Sequence, residues 1–196
     1  SITFSIESNK ELLKQYPYPF RLEIQYTLDG KKIRIEYHIC NKGTEAMPFQ
    51  IGGHPGFNCP LMADEHYSDY KIEFAQSETC DVPTPVTETG LIDTAHRTPF
   101  LKDQRELQLS HELFSVDAVI LDKLKSRSVK LTTPKHSKGI QLDFEDFPYL
   151  ILWSSANNGP FVAIEPWVGL STCSDEGDVF EEKRNNSLFF LKNLFS

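Results

Sequence analysis

Apolar and polar residues alternate one for one along most of this 196-residue chain, and that period admits strands and little else. The runs "ITFSIE" (2–7), "FRLEIQYTL" (20–28) and "KIRIEYHIC" (32–40) each carry one apolar edge, and "LDG" (28–30) turns the second back on the third. "MPFQIG", "YKIEFA", "VDAVIL", "SVKLTT", "GIQLDF", "YLILWS", "FVAIEPW" and "NSLFFLKNL" (186–194) bring the strand candidates to about eleven, divided by Gly, Pro, Asn and Asp at the intervals of an all-β sandwich. The expected fold is all-β, an antiparallel β-sandwich forming one domain over residues 1–196. Helix is expected over 9–17, with Ser8 or Asn9 as N-cap and Pro17 as stop, and as a turn at 111–114. Residues 78–105, holding Pro83, Pro85, Gly90 and Pro99, are expected to be an irregular crossing.

Composition excludes several classes. The 39% hydrophobic content is that of a folded chain, and no apolar run reaches the roughly 18 residues that a membrane helix needs. A net charge of −8 repels phosphate backbones and anionic lipid, so neither nucleic acid nor membrane is an expected partner. Cys40, Cys59, Cys80 and Cys173 show no CxxC and no zinc-ligand spacing, and are expected to be reduced thiols in a cytoplasmic protein. The opening "SITFSIESNK" has neither the basic nor the apolar part of a signal peptide.

Two segments carry residues that packing alone does not require. In "QIGGHPGFNCPL" (50–61), His54 lies between Gly52-Gly53 and Pro55, and glycines in a strand mark a bulge or a close approach of other atoms. The bland alternative is a turn histidine bonded to backbone. In "FPYLILWSSANNGPFVAIEPWVGLS" (147–171), two apolar strands flank a polar turn, and Glu165 shares its parity with Phe161, Ala163 and Trp167. It is either a solvent-facing acid on a half-exposed strand or part of a sugar-binding wall, where aromatic rings pack on C–H faces and acids take hydroxyls. Asp117 interrupts "LFSVDAVIL" and could cap a bulge or face a ligand. The acidic stretches 143–147 and 174–183 lack the spacing of a calcium loop and fit solvated loops. An imidazole and a carboxylate set across one pocket would make a general acid and base near neutral pH.

At "IGGHPGFNCPL", "FPYLILWSSANNGPFVAIEPWVGLS", and "LFSVDAVIL" followed by "LKSRSVKL", the sequence resembles the aldose 1-epimerase, or galactose mutarotase-like, family, in particular a LacX-like branch encoded in bacterial sugar operons. The resemblance runs over essentially the whole chain. It implies a β-supersandwich acting on a free hexose without cofactor or metal: a glutamate takes the anomeric proton, a histidine protonates the ring oxygen, the ring opens, and reclosure gives the other anomer. By motif position the acid is His54 and the base Glu165. Asp117 matches the acid that holds sugar hydroxyls, and Phe57, Phe161 and Trp167 are the expected aromatic contacts. His54 and Glu165 are then expected to face each other about one sugar ring apart. Family members are longer, and this sequence is expected to begin part-way along them, without a segment that adds strands, an arginine and a second histidine. Open sheet edges and a homo-oligomer are the expected consequences. The competing readings are a non-catalytic carbohydrate-binding or regulatory module of the same fold and a glycoside hydrolase accessory domain or a hydrolase using paired carboxylates.

Overall fold

The computed structural model describes residues 1–155 and 157–189. In chain order the strands are β1 (Ile2–Glu7), β2 (Phe20–Asp29), β3 (Lys32–Asn41), β4 (Met47–Phe49), β5 (Ile51–Gly52), β6 (Gly56–Asn58), β7 (Lys71–Val86), β8 (Leu91–Gln108), β9 (Val119–Leu121), β10 (Ser128–Thr133), β11 (His136–Asp143), β12 (Tyr149–Trp153), β13 (Phe161–Val168) and β14 (Ser187–Phe189). All strand pairs are antiparallel. The described residues divide into two compact units, Ser1–Phe49 with Ser187–Phe189, and Gln50–Asn186.

The first unit holds the sheet β1-β2-β3 and the pair β14-β4. As the alternation predicts, β2 and β3 form a hairpin, with Gly30 at its turn at φ +59°, a left-handed value that favours glycine. Ile2, Phe4 and Ile6 lie opposite Tyr26, Ile24 and Leu22, which continue across to Ile35, Tyr37 and Ile39. One face of this sheet is therefore apolar throughout, and Ile2, Phe4, Ile6, Tyr26, Leu28, Ile33 and Ile35 are exposed on it. The expected helix over 9–17 shrinks to one turn, α1 (Leu12–Gln15). Asn9 does cap it, its Oδ1 accepting the Glu11 and Leu12 N–H groups, but Tyr16 is already extended because a residue preceding proline is driven out of helical geometry. Of the strand expected over 186–194, residues 187–189 form β14, and the remainder from 190 lies outside the described residues.

The second unit stacks two sheets. One runs β11-β10-β7-β8 and the other β5-β13-β12-β9, with β6 also on β13. Between them Ile72, Phe74, Leu131, Leu150, Leu152, Val162 and Ile164, all nearly or fully buried, make the core. The stretch 78–105 is not an irregular crossing: β7 and β8 form one long hairpin. Its prolines are tolerated because β10 pairs β7 only along Lys71–Phe74 and β8 is an edge strand, so Pro83, Pro85 and Pro99 fall where ladder donors are not required, among four register shifts. Among the described residues no helix is long and apolar enough to cross a membrane, and no group of three or more His, Cys, Asp or Glu side chains is gathered to hold a metal ion. The four thiols are free.

Candidate functional site

The face of β13 turned away from this core bears Phe161, Ala163, Glu165 and Trp167, because Val162 and Ile164 of the other parity are spent inside it. Tyr149, Ile151 and Trp153 of β12 stand opposite Trp167, Glu165 and Ala163. On the other side of β13 the "GGHP" segment is stapled across Glu165. The Gly53 N–H donates to the Pro166 carbonyl at 3.1 Å, and the Ile164 N–H donates to the Pro55 carbonyl at 3.2 Å. These two bonds bracket both residues, and His54 lands beside Glu165.

The contact is direct, with His54 Nδ1 2.5 Å from Glu165 Oε2. The expected separation of one sugar ring is thus wrong: adjacent backbone segments put the two groups side by side. The solvent-facing reading of Glu165 fails as well, since its side chain is 2% exposed, whereas that of His54 is 64% exposed. At that distance the imidazole and the carboxyl form a close ion-pair contact, with the carboxylate side of the pair buried. Burial lifts the Glu165 carboxyl above its ordinary value, and the neighbouring His54 and then the Trp167 N–H pull it partly back. The site therefore pairs a desolvated carboxyl that retains acceptor capacity with an imidazole that solvent can reach.

The glycines have a visible purpose. A Cβ on Gly52 would come within 2.5 Å of Trp167 Cδ1, so the indole can lie across the strand only over glycine. Its Nε1–H donates to the Gly53 carbonyl at 3.2 Å, fixing the ring. Trp167 separates two hollows. One, of about 150 Å³, is lined by Asp117, Ile120, Ile151 and Trp167 among others. The other, of about 250 Å³, is lined by Gln50, Gly52, Trp167 and Gly169 among others. His54 and Glu165 line neither of these two; Glu165 lies two residues before Trp167 on β13.

The remaining expected contacts divide. Asp117 is exposed and lines the smaller hollow, with Oδ1 accepting the Ala118 N–H at 2.7 Å. It thus shares the hollow with Trp167. Phe161 lies on the Glu165 face against Trp153, ring centres 5.6 Å apart. Phe57 does not join them: it pairs with Val162 and packs on the main core, because side chains directly opposite in an antiparallel ladder share a face and Val162 points inward. Trp153 was missed by motif reasoning. Its signal is parity alone, since Tyr149, Ile151 and Trp153 alternate in register with Glu165 once the hairpin is drawn.

A model of the aldose 1-epimerase family matches residues 1–181. Two curated relatives from Lactococcus lactis subsp. lactis, "Protein LacX, chromosomal" and "Protein LacX, plasmid", are each 53% identical over 184 residues, covering 93% of this chain and 62% of their own length. Two solved structures share the fold. A galactose mutarotase related enzyme from Lactobacillus acidophilus matches at 30% identity and a TM-score of 0.89, over 99% of this chain and 64% of that one. A galactose mutarotase-like protein from Lactobacillus casei matches at 28% and 0.85, over 98% and 66%. The chain thus spans less than two thirds of the curated relatives' length. Its fold is the antiparallel β-sandwich of galactose mutarotase-like proteins, and the chain belongs to the aldose 1-epimerase family.

Proposed function

We propose that this chain interconverts the α and β anomers of a free hexose, with Glu165 as general base and His54 as general acid. The observation that carries this reading is the contact of a buried carboxylate with an exposed imidazole on a sheet face lined by aromatic rings. Ring opening removes a proton from the anomeric oxygen and adds one to the ring oxygen, and both oxygens are bonded to the same carbon. An acid and a base that serve them must be neighbours, so side-by-side placement suits the reaction better than placement across a ring.

In the forward step, the carboxylate of Glu165 accepts the O1 proton. The protonated imidazole of His54 gives its proton to O5, the C1–O5 bond breaks, and C1=O1 forms. After rotation about C1–C2 the C5 hydroxyl attacks the other face of the aldehyde. Its proton returns to His54 while Glu165 reprotonates O1, and both groups are restored. Trp167 and Phe161 offer ring faces to the sugar's C–H groups, and Asp117 offers a carboxylate to its hydroxyls.

Polarimetry of freshly dissolved α-D-glucose and α-D-galactose tests this. The parent chain should speed the decay of rotation, and His54→Ala and Glu165→Gln should each lower the enzymatic rate by about 10²- to 10⁴-fold, the usual share of one acid–base group. If the parent binds one of these sugars by calorimetry but accelerates neither, the catalytic reading falls and a carbohydrate-binding module replaces it.

A further inference from the structure

We propose that Trp153 is a positioning residue, whose indole holds the imidazole of His54 against Glu165. Trp153 ends β12 directly opposite Ala163, on the face that carries Glu165. Its ring centre lies 5.9 Å from that of His54 at 39° and 5.6 Å from that of Phe161 at 56°, both within the range of aromatic contact. The need for such a wall follows from exposure. A side chain 64% open to solvent is not fixed by burial, and a rotamer that carries the imidazole away from Glu165 separates the acid from the base.

The indole is itself backed. Phe161 supports it from β13, and Phe161 is in turn pressed by the turn at Gly159, where a Cβ would come within 2.7 Å of its ring. A row thus runs Gly159, Phe161, Trp153, His54, Glu165, with Gly159 at one end and the acid–base pair at the other. Trp153 acts through His54 and need not touch sugar. This role rests on the acid–base reading above, but the placement of the ring can be measured without it.

The test uses Trp153→Ala and Trp153→Phe. An indole against the imidazole imposes a ring-current shift on the His54 Hε1 proton, identified by its loss in His54→Ala. The signal is compared on the low-pH and high-pH plateaus, so that a change of protonation is not mistaken for a change of position. Trp153→Ala should remove the shift, and Trp153→Phe should keep part of it. In mutarotation, Trp153→Ala should lower kcat about 10²-fold with KM unchanged, the loss expected when a catalytic group is misplaced by about 1 Å, and Trp153→Phe should recover most of it. An Hε1 signal unmoved in Trp153→Ala overturns the proposal, and so does a raised KM with kcat intact, which would make the indole a sugar platform. If the parent chain shows no mutarotation, the catalytic reading fails separately, and the Hε1 shift alone decides whether Trp153 places His54.

Discussion

At the scale of single residues, Glu165, the proposed base, is also the group through which burial makes stability depend on pH. Its carboxyl is lifted by burial, so the folded chain keeps a proton there over an interval in which the unfolded chain, titrating near 4.5, has lost it. The stability from this group is fully present below about 4.5 and is lost as pH rises through the lifted value. Glu165→Gln abolishes that loss; its melting temperature relative to the parent should rise between pH 4 and pH 7, as calorimetry at the two pH values would show. The proposed activity has the opposite sense. A base must be ionised, so the acid limb of kcat/KM should lie above 4.5, and a limb at or below 4.5 would contradict the assignment. Gly52→Ala drives a methyl into the Trp167 indole and should cost about 1–3 kcal/mol, read from urea midpoints, with weakened sugar binding. Much at this scale was legible beforehand: the parity that sets Glu165 with Phe161 and Trp167, and the glycines that announce a close approach. The contact with His54 was not, because it depends on pairing across 111 residues, and no local pattern encodes that register. Phe57 shows the same limit, since its facing is decided by Val162 on a distant strand.

At the scale of elements, the long β7–β8 hairpin teaches why prolines misled the eye. Proline forbids a ladder donor, not a strand, and an edge strand with bulges has donors to spare. The hairpin is tied to the second sheet by charge: Arg97 of β8 donates to Asp81 at 2.8 Å and to Asp122, just past β9, at 2.7 Å. Arg97 and Asp122 are only 16% and 15% exposed, so Arg97→Met strands a poorly solvated carboxylate and should cost roughly 1–3 kcal/mol in denaturant unfolding. Lys123 and then Arg97 hold Asp81 down to about 2, against 3.8 unperturbed. Stability from that carboxylate is present above about 3.8 and fades as pH falls toward 2, and Arg97→Met should shrink this acid-side loss.

At the scale of the whole chain, the apolar face of β1-β2-β3 stands out. Its seven exposed large apolar side chains lie together on one sheet face, the kind of contiguous patch that marks an association surface. In isolation the 196-residue chain should associate with rising concentration and bind hydrophobic dyes, and Phe4→Lys with Ile33→Lys should reduce both in sedimentation and fluorescence measurements. An unchanged monomer at all concentrations would show that this face is compatible with water. The alternation in the sequence revealed that the face exists, but burial depends on what else packs there, which no strand records about itself.

The two backbone bonds that bracket Glu165 act as a gauge of chain length. They are made by the main chain of residues 53, 55, 164 and 166, so they are indifferent to which side chain occupies position 54. Substitutions there can be exchanged freely without moving the scaffold, whereas deleting or inserting one residue between Gly52 and Pro55 shifts the ladder and turns the imidazole away. Such a segment can trade its chemistry by a single substitution, whereas its length is held by the two main-chain bonds.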